Sequence, residues 1–511
     1  MGQSHSTDAD IPALVYRLSR GSSSNKEKAV NQVAIVTPNT ISPLVELVHG
    51  GTKTQKTKAA SALSKLSKVK ENRALLVEAG GVPALVELMC GGSRVQKEHA
   101  LSTVFNLCMS INYRVTIAAA GAIAPIVALV RGGNSVQREK AAGVLALLAT
   151  NSGNHATIVA ANGIEPLVQL VRSGSIPERM NAASALWTLS FNSVCKAVII
   201  AAGGIPLFVK LVYDTGEYQK EVAAGLLWNI SMVPENREAI AEAGAIPPLV
   251  ELLRSGNDVQ STRAIGALAN LAVIPGCQFA IAAAGGVAPV VALLQHGTAP
   301  QKQCALTALS HLSERSLKIK AGMISTGAIP AVVAMMHRSS GSMKQDSTEI
   351  LANLSSGNDK SAIAGAGGIP PLVALLWDGN PIEKKNAMIV LTNLSMDPAN
   401  RVMIAAAGGI RALVMLLRHG NDDLKERAAI VLSNLALSNA SKTTIASLGG
   451  VHALVALLQK GTKPQKRRAA QALSSISLKD QNTGGASAAT VLGGDDTYNG
   501  QEDLQEVLFE S

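Results

Sequence analysis

Along most of this chain, near-continuous apolar blocks alternate with blocks whose apolar positions fall at helical spacing, and Gly- or Ser-rich breaks divide them. Residues 247–254 are apolar on most faces and predict a helix buried between neighbours. Ser255, Gly256 and Asn257 then turn the chain, and residues 259–272 read as an amphipathic helix with apolar residues three and four apart. A short helix precedes this pair and is expected to start after Asn236, since Asn is favoured at N-caps. Gly ends that short helix, because Gly tolerates the left-handed C-cap. Pro at the head of the next one costs little, since an N–H there would be unpaired anyway.

This three-helix unit recurs. Its marker is a small residue or Gly pair, Ile or Val, and usually Pro, as in Gly80-Gly81-Val82-Pro83 and Gly368-Ile369-Pro370. The marker Ile or Val falls at Ile41, Val82, Ile123, Ile164, Ile205, Ile246, Val287, Ile329, Ile369, Ile410 and Val451. The step is 41 residues throughout, apart from one of 42 and one of 40. A shortened unit, Ile11-Pro12-Ala13-Leu14-Val15, precedes them. Helical repeats with periods near 34 are too short for this step. The Gly break between a short first and a longer second helix also argues against paired-helix HEAT units.

On that period and break the chain resembles the armadillo repeat family over about residues 11–479. The resemblance implies an all-α fold: a right-handed α-solenoid (superhelix) of about 11–12 armadillo repeats with three helices each. The third helices would line its inner groove. Residues 1–10 would be a flexible N-terminus and residues 480–511 a disordered acidic tail.

Two columns on the third helix are candidates for binding. Twenty-four residues after each marker stand Lys65, Asn106, Leu147, Thr188, Asn229, Asn270, His311, Asn353, Asn393, Asn434 and Ser475. Asn is a mediocre helix former, so its recurrence on one face needs a reason. The resemblance implies that Asn106, Asn229, Asn270, Asn353, Asn393 and Asn434, with His311 beside them, form a ladder along the groove. An amide there can both donate to and accept from the backbone of an extended peptide. The other reading is that these Asn tie neighbouring repeats or helix ends together. Seventeen residues after the marker, basic residues gather as Lys58, Lys140, Arg263, Arg427 and Arg468, with His99 among them. Such a column resembles the basic groove of beta-catenin and implies acidic, extended partners.

The column one turn before the ladder carries no Trp, where nuclear-import adaptors of the importin-alpha kind have one. Trp187 and Trp228 sit one residue before the ladder position and are expected to pack. The groove also lacks the acidic lining a Lys-rich cargo needs, so an import carrier is the weaker alternative.

Composition sharpens the picture. Hydrophobic residues make up 47% and aromatics only 3%, which suits helices packed through Ala, Leu, Val and Ile. The scarcity of aromatics also argues against single-stranded nucleic acid, which relies on base stacking. The apolar runs are shorter than the roughly 20 residues of a membrane span, and no signal peptide opens the chain. Residues 479–511 hold one basic and seven acidic residues, leaving 45 basic against 29 acidic elsewhere. A positive body with an acidic tail fits acidic partners. Arg427 and Arg468 are candidate seats for the tail itself. The five cysteines are scattered, with no CxxC and no metal-ligand spacing, and are expected to be reduced core thiols. Phosphate-loop, HExxH and GxSxG motifs are absent from the sequence, so neither catalysis, a cofactor nor a metal is expected.

The function expected is a non-enzymatic scaffold or adaptor that binds extended protein segments in its groove. A substrate-recognition module of a ubiquitin ligase complex is the alternative, since plant U-box proteins carry similar repeats. Met1-Gly2-Gln3-Ser4-His5-Ser6 fits M-G-x-x-x-[ST], which would allow myristoylation at Gly2. The repeats also resemble the myristoylated armadillo scaffolds of the fungal vacuole. One myristoyl chain anchors only marginally, and Asp8 and Asp10 stand where basic residues would help. A cytoplasmic protein follows, peripheral on a vacuole-like membrane if Gly2 is acylated, with the nucleus as a further compartment.

Overall fold

The computed structural model describes residues 36–213, 216–357 and 360–477. The shortened unit at Ile11, Gly2 and the acidic tail all lie outside the described residues. Those described are helical, with no strand among them. They divide in sequence into two compact units, one ending at Leu252 and the other starting at Leu253.

The first unit is built from successive three-helix repeats. In one of them the second helix is Gly81–Gly91, the third is Arg94–Cys108, and Ile111–Ala119 opens the next repeat. Third helices pack side by side as one layer, from Lys53–Leu66 through Ser135–Ala149 to Glu217–Ser231. Second helices stack as the other layer, from Pro38–Gly50 to Gly204–Tyr213. The core lies between the layers, where Leu85, Leu101, Leu107 and Ile126 are fully buried. Each such side chain contributes about 1.5–3 kcal/mol of transfer free energy. Small residues let the third helices approach one another. At Gly143 an added Cβ would lie 3.2 Å from the ring of Phe105 in the preceding repeat. The second unit repeats the scheme, with third helices from Asp258–Leu271 to Lys463–Ser477 forming its layer.

A sharp corner separates the first and second helices, which meet at 76–88° in seven of these pairs. The residue two before the marker makes the corner by adopting positive φ. It is Gly in nine repeats, such as Gly80 and Gly244, and Asn162 (φ 51°) in the tenth. Both are residues that enter the left-handed region at little cost. Among the described residues no single helix is long and apolar enough to cross a membrane.

Two local expectations need adjusting. The first helix does start after Asn236, as Arg237–Glu242, but the Asn236 side chain does not cap it; its Nδ2 donates to the Ile230 carbonyl at 3.2 Å, at the end of the preceding third helix. Asn72, Asn154 and Gln278 serve the carbonyls of Leu66, Leu148 and Ala272 in the same way. The last carbonyls of a helix lack intrahelical donors, and these amides supply them. Asn192, by contrast, does cap its first helix, accepting from the Cys195 N–H. The cysteines are free, but Cys90 is exposed rather than part of the core. Burial pushes the Cys108 thiol up to about 12, so it is no nucleophile.

Many third helices begin with reciprocal caps. The pairs Ser93/Gln96, Asn134/Gln137 and Thr298/Gln301 are capping boxes, in which each side chain bonds the other residue's backbone N–H. These glutamines, and Gln465 at the same position of its repeat, then donate Nε2 to a carbonyl in the first turn of the preceding third helix. Gln96 bonds Lys53, Gln137 bonds Arg94, Gln301 bonds Asp258 and Gln465 bonds Asp422, each at 3.0 Å. One side chain therefore closes its own helix and staples the neighbouring repeat.

Candidate interaction face of the third helices

The ladder asparagines project from the last turn of successive third helices and are half-buried, except for Asn229, which is 6% exposed. Each of five donates Nδ2 to a serine hydroxyl of the preceding repeat: Asn106 to Ser67 at 2.9 Å, Asn229 to Ser190 at 2.8 Å, Asn353 to Ser313 at 3.0 Å, and Asn393 and Asn434 to Ser355 and Ser395 at 2.9 Å. Asn270 is half-buried and also engaged within the protein. An amide nitrogen carries two hydrogens and its oxygen two lone pairs. One hydrogen goes to serine. Among the described residues, Oδ1 of Asn106, Asn353, Asn393 and Asn434 accepts no hydrogen bond. Asn106 spends its second N–H on the Ser64 carbonyl at 3.3 Å, whereas Asn353, Asn393 and Asn434 each keep a donor and an acceptor, which is what an extended backbone requires.

His311 differs from its ladder neighbours. Its Nδ1 lies 3.0 Å from the carboxylate of Glu314 in the same helix end. Near it, Asp346 accepts from Gln303 and Thr307 at 3.3 and 3.4 Å. Burial pushes the Asp346 carboxyl above the usual range, and the neighbouring charge of Glu349 adds to this.

The basic column is uneven. In the first unit Lys140 donates Nζ to the Ser102 hydroxyl of the preceding repeat and has no carboxylate partner. His99 is held below its ordinary pKa by burial and then by the charge of Lys140, with Lys65 adding to it. Lys58 is half-buried and carries an interaction within the protein, as does Arg263. In the second unit the cations are already paired. Arg427 donates Nε to both oxygens of Asp423 at 2.9 and 3.0 Å. Arg468 lies 3.8 Å from Glu426 in the preceding repeat and donates to Gln471. Lys65 and Lys140 thus place positive charge beside His99, with the carboxylate of Glu98 also acting on it.

Trp187 and Trp228 are half-buried beside the ladder, and Trp187 meets Phe191 edge-on with centroids 5.8 Å apart. Phe191, Met232 and Met109 hold one equivalent position, 27 residues after their markers, and are exposed. The sequence columns overlooked them because each falls at a helix end, where periodicity weakens. The serine partners of the ladder were overlooked too, since each stands in the repeat before its asparagine. No cluster of His, Cys, Asp or Glu suited to a metal occurs among the described residues.

Comparison with known proteins follows this geometry. The Armadillo/beta-catenin-like repeat family matches residues 70–109, 192–232, 234–273 and 397–437. An engineered protein of known structure is 29% identical, with TM-score 0.63, covering 78% of this chain and 99% of its own. A structure from work on the phosphorylation-controlled interaction of cadherin with beta-catenin has TM-score 0.74 at 18% identity, covering 91% of this chain and 98% of its own. No curated protein sequence gives a significant match. The chain carries armadillo repeats at these four places and has a helical solenoid fold.

Proposed function

We propose that the chain is a non-enzymatic protein-interaction scaffold whose third-helix face holds an extended segment of a partner along the asparagine ladder. The observation that carries this is the unspent Oδ1 and second N–H of Asn353, Asn393 and Asn434 on three successive third helices, with the unspent Oδ1 of Asn106 on an earlier one. The partner's acidic residues would lie against Lys65 and Lys140, the latter held by a hydroxyl and not by a carboxylate. The structural neighbour is a protein whose contact with cadherin is phosphorylation-controlled, and an added phosphate would strengthen binding at such a patch. Attachment to a membrane through Gly2 is a separate proposal that rests on the M-G-x-x-x-[ST] motif.

Photo-crosslinking tests the site. A library of unstructured displayed peptides is first selected on the full chain. A photoreactive residue is then placed at Leu147 or Thr188, ladder positions that make no asparagine joint, or at Glu165, exposed on a second helix. Labelling from Leu147 and Thr188 but not from Glu165 supports the groove. Labelling from Glu165 alone moves the binding surface elsewhere.

A further inference from the structure

We infer that the buried serine which closes a third helix, in the repeats that have one, is the positioning residue for the ladder asparagine of the next repeat, so that an asparagine rung is set from the repeat before it. The inference rests on the groove reading for its functional half and on contacts within the protein for the rest.

The serines are Ser67, Ser190, Ser313, Ser355 and Ser395, each no more than 1% exposed. Each donates Oγ–H to the carbonyl three residues back, at 2.6–3.0 Å. With its hydrogen spent, the hydroxyl can only accept. That fixes which end of the amide faces it: nitrogen toward serine, oxygen away. The serine thereby turns Oδ1 of these five asparagines away from the joint.

Sequence across the joints says the same. Reading the residue 26 after each marker against the ladder residue of the following repeat, Ser67, Ser190, Ser231, Ser313, Ser355 and Ser395 precede Asn106, Asn229, Asn270, Asn353, Asn393 and Asn434. Cys108, Ala149, Ala272 and Ala436 precede Leu147, Thr188, His311 and Ser475. Every asparagine has its serine, and no serine faces another residue type. Within one repeat the match fails: Thr188 shares its repeat with Ser190, His311 with Ser313, Asn106 with Cys108, and Asn434 with Ala436. Copying of whole repeats would pair residues inside a repeat, so the pattern follows the contact across the joint. Where the hydroxyl is missing, Thr188 turns to the Ser184 carbonyl and Ser475 to Ser433 and Gln471.

The test uses the full chain with Ser355→Ala, Asn393→Ala and their combination. Ser355→Ala leaves an N–H of Asn393 without its acceptor and Asn393→Ala removes the bond the Ser355 hydroxyl accepts, and each is expected to lower the melting temperature by roughly 2–4 °C, with the double variant no worse than the worse single. Spectra of asparagine-labelled protein add a readout that packing alone would not move: Ser355→Ala should shift the side-chain NH₂ pair of Asn393 and leave that of Asn106 in place. The converse is to build a joint, Ala149→Ser with Thr188→Asn. Only the pair together should raise affinity for the library-selected peptide, by several-fold, while each single leaves it unchanged or weaker. Additive melting shifts and an unmoved Asn393 signal would overturn the serine's role whether or not Leu147 crosslinks. Coupled serine and asparagine with no crosslinking from the ladder would overturn the positioning role and the groove reading, leaving a structural joint only.

Discussion

The Arg138 guanidinium donates to the Glu178 carboxylate at 2.7 Å, joining two successive third helices. Glu178 is 1% exposed and also accepts from the Ser175 N–H at 2.6 Å, so it closes its own helix cap and the joint at once. Its column is Gln in most other repeats, where the amide reaches a carbonyl of the preceding repeat instead.

Glu178→Gln should therefore cost under about 1 kcal/mol, since it restores the alternative staple. Glu178→Ala should cost about 2–3 kcal/mol, as it removes a hydrogen-bonded charge and strands its partners. Denaturant melts of the two variants check the contrast. Burial pushes the Glu178 carboxyl up, but the Ser175 N–H and Arg138 together outweigh it, and its pKa lies below the ordinary 4.5. Its contribution is present above that value and lost as pH falls through the depressed pKa. Wild type should lose more stability than Glu178→Gln as the pH is lowered below 4.5.

His99 is neutral in the fold because burial and Lys140 both oppose its protonation. The unfolded chain protonates at its ordinary 6.5, so this group makes stability fall as pH drops below 6.5. Lys140→Met should raise the His99 pKa toward 6.5 without passing it, since burial persists. A titration of the His99 ring proton by NMR reads this directly, and a fall in pKa would reject it.

The left-handed corner makes a prediction of opposite sign at two equivalent positions. Gly244→Ala should cost about 1–2 kcal/mol, because a Cβ is disfavoured at φ 79° even though open space surrounds it. Asn162→Gly should be neutral or stabilise by up to about 1 kcal/mol. Thermal melts of both decide whether the corner is governed by backbone conformation or by side-chain contacts.

Charge reversal should separate the two ends of the basic column. Lys140→Glu should weaken an acidic peptide several-fold at low salt and flatten its salt dependence. Arg427→Gln should change affinity less than twofold, since Asp423 already neutralises that cation. Titrations at two ionic strengths check both, and a larger effect at Arg427 would shift the acidic site to the second unit.

The repeat length, the three helices of each unit and the Gly corners could all be read from the chain, because each depends on neighbours within one turn or one short loop. Gly80 ends a helix for reasons carried by its own backbone, and Pro247 starts one likewise. The columns on the third helix were legible for the same reason, since helical spacing places their residues on one face. Their chemistry was not. Asn106 and Ser67 are 39 residues apart, Arg468 and Glu426 are 42 apart, and Glu178 and Arg138 are 40 apart. Asn236 looked like a helix cap because a carbonyl six residues back cannot be distinguished as a partner until the chain has turned.

By itself, then, the sequence determined an all-α repeat and the residues that one face of each third helix presents. Tertiary structure decided which of those residues keep hydrogen-bonding capacity for a partner and which spend it on the fold. Periodicity records the local backbone geometry of a single repeat, whereas donors, acceptors and charges are consumed across the joint between two.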